Sequence, residues 1–91
     1  MYGKMRWEYA QDILIETDEI SLDCRGYCIE EDGIITCNYI QIGLMPREAL
    51  ISKPPSKWWV PRGESVSDEL FDLVIESREA ELEELRHGSE H

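Results

Sequence analysis

Five carboxylates, Asp68, Asp72, Glu76, Glu79 and Glu83, recur at intervals of four, four, three and four residues. That spacing stacks side chains along one side of an α-helix. Successive carboxylates would then lie roughly 4.5–6 Å apart along about 22 Å of axis, a spacing comparable with that of phosphates along a nucleic-acid strand. A column of this kind can dock on a basic surface built to receive a polynucleotide. The plainer alternative is a solvated helix face. Like charges at four-residue spacing cost a few tenths of a kcal/mol per pair, and only Arg78 and Arg86 lie in the same segment to relieve them. A helix shaped for stability alone would alternate its signs, so the column is the main functional candidate.

Trp58 and Trp59 form a second candidate, set in the basic, proline-rich stretch SKPPSKWWVPRG with Lys53, Lys57 and Arg62 around them. Aromatics flanked by cations are common anchors at protein interfaces. A chain this small also needs large apolar side chains for its own core. One indole is therefore expected to be buried and the other partly exposed.

Cys24, Cys28 and Cys37 make a C-x3-C pair with a distant third, while His87 and His91 sit far away near the end of the sequence. No fourth ligand completes a zinc site, and no other cofactor is implied. An odd cysteine count without a secretion signal fits free thiols in a reducing compartment, so a cytoplasmic location is expected. The cysteines read as small apolar residues. No histidine falls within the part expected to fold, no glycine-rich phosphate loop is present, and no Ser or Cys has an identifiable base. No catalytic residue is assigned, and an enzyme is not expected.

The 91 residues hold twenty acids against nine bases, a formal charge of −11 with 42% hydrophobic residues. Enough apolar material is present for one packed domain, and wholesale disorder is excluded. Direct nucleic-acid binding is disfavoured because clustered Lys and Arg are missing. No apolar run approaches the roughly 20 residues that span a bilayer, and the first residues have no signal-peptide core. The charge is segregated. Residues 1–32 carry nine acids and three bases, residues 33–63 one acid and four bases, and residues 64–91 ten acids and two bases.

The elements that must position these groups follow from periodicity. Asp12–Thr17, Ile20–Cys24, Tyr27–Glu30 and Ile34–Ile42 read as strands, separated by a turn at Thr17–Glu19, a break at Arg25-Gly26 and a turn at Glu31-Asp32-Gly33. In the last hairpin, a three-residue loop would set Tyr27 against Cys37 and gather the apolar residues on one face. The two-residue alternative sets Cys28 against Cys37 and scatters them. The face-segregating register is expected, with no Cys28–Cys37 bond. Pro46 opens a short helical turn, and Pro54, Pro55 and Pro61 keep the segment around them irregular. Ser65 or Ser67 can cap a helix running to about Arg86, with Leu70, Phe71, Val74, Ile75, Leu82 and Leu85 on one arc. The expected fold is α+β in one domain over 1–91. A four-stranded antiparallel β-meander (about 12–42) precedes a Pro/Trp-rich loop (43–63), an amphipathic C-terminal helix (about 66–86) and a frayed tail (87–91).

In size, charge and lack of catalytic residues the chain resembles the small acidic inhibitors encoded by phages and mobile elements. These include anti-CRISPR and anti-restriction proteins, some of which mimic nucleic acid. The resemblance implies a stoichiometric inhibitor that blocks substrate access to a larger complex. Its protein partner would present a basic, nucleic-acid-binding surface, and neither nucleic acid nor membrane would be bound directly. The partner-binding candidates are Asp68, Asp72, Glu76, Glu79, Glu83, Trp58 and Trp59. The alternative is an antitoxin-like or assembly module that binds through an apolar surface or sheet edge, with charge serving solubility only. A homodimer is left open by both readings.

Overall fold

The computed structural model describes residues 5–88, with side chains from 5 to 86. Three long strands, β1 (Arg6–Glu16), β2 (Ser21–Glu31) and β3 (Ile34–Ile42), are followed by a single helical turn, α1 (Arg47–Leu50). A two-residue strand, β4 (Val60–Pro61), and the long helix α2 (Asp68–Gly88) complete the order. The strands form one antiparallel sheet in the order β1-β2-β3-β4. The architecture is α+β, a four-stranded antiparallel sheet and then a C-terminal helix. No helix among the described residues is long and apolar enough to cross a membrane.

The strands are divided differently from the periodicity reading. β1 begins at Arg6 because Trp7 and Tyr9 continue the alternation of Ile13 and Ile15. Its turn into β2 is held by Thr17, whose Oγ1 accepts the amides of Glu19 (3.3 Å) and Ile20 (3.1 Å). The break expected at Arg25-Gly26 is absent, and β2 runs through it. A Cβ built on Gly26 would lie 2.4 Å from Val74 Cγ1 and 2.9 Å from Cys37 Sγ. The glycine lets α2 settle onto the sheet, so it marks a close approach rather than a turn. The fourth strand comes from the Pro/Trp segment: Val60 and Pro61 pair with Ile40 and Tyr39, and Arg62 N donates to Asn38 O at 2.8 Å.

The β2–β3 hairpin also departs from the expected register. Asp32 (φ 53°) and Gly33 (φ 83°) both take the left-handed conformation. This is the two-residue turn favoured by strand twist, and it pairs Glu31 with Ile34 and Cys28 with Cys37. The register shifts between Tyr27 and Cys28, so that Tyr27 pairs with Tyr39 and Asn38 becomes the extra residue of a β-bulge. Alternation restarts one residue later beyond Asn38. The bulge thereby brings Ile35, Cys37, Ile40 and Ile42 to one face with a turn that would otherwise scatter them.

That face meets α2. Cys24, Cys28, Cys37, Ile40, Phe71 and Val74 form the buried core, with Tyr9, Ile13, Ile15, Leu70 and Ile75 packed around it. Ser67 supplies the cap, its Oγ accepting Glu69 N at 3.3 Å. The opposite face is covered by the segment between β3 and β4. Ala49 and Trp59 are buried there. The Trp59 ring stands edge-on to Tyr27 at 5.5 Å, and its Nε1 donates to Ser52 Oγ at 3.0 Å. Gln41 Nε2 donates to Ala49 O at 2.8 Å.

Candidate functional site

The helix cap and the Gly26 contact fix the rotation of α2, and with it the direction of its charges. Phe71 and Val74 point into the sheet, and Asp68, Asp72, Glu76, Glu79 and Glu83 are all exposed. The column is not uniformly free. Arg62, from the basic middle of the sequence, ion-pairs with Asp72 and lies 3.8 Å from Asp68. Its guanidinium also stacks 5.3 Å from the centre of the Phe71 ring. Arg86 lies 3.9 Å from Glu83. Glu76 and Glu79, in the middle, have no ion-pair partner among the described residues.

Arg78, one of the two cations expected to relieve the column, turns the other way. Its Nε donates to Glu30 Oε1 at 2.9 Å, and its Nη1 lies 3.7 Å from Glu81. Its guanidinium covers the Tyr9 ring at 5.0 Å. Glu30 is 5% exposed. Tyr9 donates to the same Oε1 at 2.5 Å, and Gln11 Nε2 donates to Glu81 at 2.7 Å. Burial pushes the Glu30 carboxyl up, but the Tyr9 and Arg78 hydrogen bonds and the guanidinium charge outweigh it and hold it below its ordinary value. Arg78 is raised by the hydrogen bond to Glu30. This ion pair ties helix to sheet. Its sequence signal was a charge at the centre of the apolar stripe, four residues from both Val74 and Leu82.

Of the two adjacent indoles, Trp59 is 4% exposed and belongs to the fold. Trp58 is half-buried, with Lys57 Nζ 4.9 Å over its ring. Only Trp58 keeps a surface that a partner can reach. Trp7, which the sequence reading did not single out, is 43% exposed on β1.

The three thiols are free and buried. Cys28 and Cys37 are directly opposite and hydrogen-bonded, which lowers Cys28 and, with burial, raises Cys37 far above the usual thiol range. Burial pushes Cys24 up to about 11. The thiolate is the reactive form, so Cys24 and Cys37 are shielded twice, by access and by protonation, and Cys28 by access alone. A water-soluble aromatic disulfide reagent at pH 8 should therefore titrate three thiols per unfolded chain and none rapidly in the folded protein. A fast-reacting thiol in the native state would contradict the packing. Among the described residues no cluster of His, Cys, Asp and Glu could hold a metal ion. The His87 and His91 side chains lie outside the described residues.

No protein-family model, no curated protein and no solved structure matches the chain.

Proposed function

We propose that the protein is a stoichiometric binding protein whose exposed α2 carboxylates dock on a basic, nucleic-acid-handling surface of a larger complex and block substrate access. It would act in the manner of the phage-encoded anti-CRISPR and anti-restriction inhibitors. The observation that carries the reading is the unneutralised centre of the column. Glu76 and Glu79 are exposed and have no ion-pair partner among the described residues, while Arg78, two residues from one and one from the other, is engaged with Glu30 on the sheet side. A solvated face that only kept the protein soluble would have no reason to keep its charges in register on one side. Trp58 is the apolar anchor available within the basic loop, and Trp59 is not.

The test is capture of a nucleic-acid-processing complex from a nuclease-bearing host, with affinity measured for wild type and for Glu76→Lys/Glu79→Lys/Glu83→Lys. The reversal should weaken binding at least ~10-fold, about 1.4 kcal/mol or more. Affinity should fall steeply with salt, and the complex's own nucleic acid should compete. Binding indifferent to salt and to the reversal would refute the docking mode.

A further inference from the structure

β1 is the outermost strand, and among the described residues no strand lies beyond it. Met5 O accepts Asp32 N at 3.1 Å, and Thr17 N donates to Ile20 O at 2.8 Å. Both residues are odd-numbered, and the β1–β2 register is unbroken between them. In an antiparallel ladder the residues that bond a given neighbour alternate. The odd residues of β1 therefore bond β2, and Glu8, Ala10, Asp12 and Leu14 turn their N–H and C=O groups outward. No proline or bulge interrupts residues 6–16; the guards on this edge are the charges of Arg6, Glu8, Asp12 and Glu16, which leave the backbone groups free to pair.

The helix outruns the sheet at the same place. Glu81 is held over β1 by Gln11. Leu82 and Leu85 continue the stripe of Phe71, Val74 and Arg78, and α2 extends about 10 Å beyond Glu81. Phe71 and Val74 are fully buried, whereas Leu82 is half-buried and Leu85 is 67% exposed. A cavity of about 590 Å³ lies along this edge, lined by Ile13, Leu14, Ile15, Leu73 and Glu76 among others.

We infer that the β1 edge accepts an extended segment of a partner protein as a fifth strand, with alternating apolar and basic side chains. Backbone groups of Glu8, Ala10, Asp12 and Leu14 would form the ladder. Residues of the added strand on the helix side would lie beside Tyr9, Ile13 and Ile15 and under Leu82 and Leu85, which calls for apolar side chains. Those on the other side would lie beside Glu8, Asp12 and Glu16. Asp12 pairs with Arg25 at 2.6 Å and Glu8 lies 3.6 Å from Arg6, while Glu16 has no ion-pair partner among the described residues, and this acid left over calls for basic side chains. A second copy is the poorer occupant, because it would bring −11 against −11 and its own β1 has three acids and one base. The inference does not rest on the α2 docking reading: it uses the backbone edge of β1, and only Glu76 borders both surfaces.

The probe is an acetylated, amidated eight-residue peptide of alternating lysine and valine, compared with a peptide of the same composition in which the lysines and valines form separate blocks. By NMR titration the alternating peptide should bind at least ~10-fold more tightly, with slowed exchange of the Ala10 and Asp12 amides. Ala10→Pro removes an outward N–H while leaving the β1–β2 ladder whole. It should abolish the preference, and so should Leu85→Lys, which alters only an exposed side chain. Equal binding of the two peptides, or a preference that survives both substitutions, would overturn the inference. So would a wild-type dimer that Ala10→Pro dissociates, since the occupant would then be a second copy. Ala10→Pro leaves the α2 carboxylates untouched, and both peptides carry the same charge. The edge reading and the helix-face reading therefore fail separately.

Discussion

Replacing Gly26 with alanine should destabilise the protein by about 2–3 kcal/mol, although alanine is ordinarily the better strand residue by roughly 0.5–1 kcal/mol. The sign is set by contact. The new methyl would fall 2.4 Å from Val74 Cγ1, 2.9 Å from Cys37 Sγ and 3.0 Å from Val74 Cγ2. Both neighbours belong to the fully buried core, so neither can swing into solvent, and α2 would have to lift. The diagnostic is the double variant Gly26→Ala/Val74→Ala. Val74→Ala alone leaves a cavity, but in the double variant the alanine methyl occupies part of that space. Urea denaturation should show the two changes coupled by about 1–2 kcal/mol, the double variant being more stable than the sum of the singles requires. Additive losses would mean that the glycine serves something other than the helix–sheet contact.

Removing Arg78 should have the largest effect of any charge substitution. Arg78→Met strands the Glu30 carboxylate in the core with only Tyr9 to bond it, and a broken buried pair of this kind costs about 3–5 kcal/mol. The pH dependence gives the cause. In the wild type Glu30 is held below its ordinary value, so its contribution is complete at neutral pH and is lost as pH falls below about 4. In Arg78→Met, burial dominates and raises the carboxyl, which then protonates more readily. The difference in unfolding free energy between the two proteins should therefore shrink as pH is lowered from 7 towards 4. The paired change Glu30→Leu/Arg78→Met should recover most of the loss, short of about 1 kcal/mol for the acceptor that Tyr9 no longer has. A gap that stays constant with pH would show that Arg78 acts through packing of its stem rather than through its charge.

The sequence disclosed more of the fold than of the surface. The α2 stripe, a cap at Ser65 or Ser67, and the places of the turns at Thr17 and around Asp32-Gly33 all followed from local chemistry. Two of the departures along the strands have different causes, one a contact far away in the chain and the other a local irregularity. Gly26 resembles a break until Val74, 48 residues later, is placed against it. The three-residue loop seemed necessary for a one-faced hairpin because a bulge at Asn38 has no signature in so short a window. At the candidate site, spacing placed the five carboxylates on one exposed side of α2. Arg62 was assigned to a basic middle segment, and its pairing with Asp68 and Asp72 depends on how β4 closes the sheet. Arg78 was assigned to the column, although its place between Val74 and Leu82 already set it on the buried stripe.

The two covers of the sheet differ in how they can come off. On one side α2 interlocks with the core at Gly26 and through Glu30, so lifting it means losing the fold. On the other, the segment from Gly43 to Trp59 is held by the Gln41–Ala49 hydrogen bond, the edge-on contact of Trp59 with Tyr27, and the Trp59–Ser52 bonds within the segment itself. A flap fastened at so few points opens at lower free energy than the whole domain. The protein thus has one wall and one door. Amides near Ala49 should therefore exchange with solvent faster than those of β2 beneath α2, a difference that hydrogen exchange followed by mass spectrometry would read.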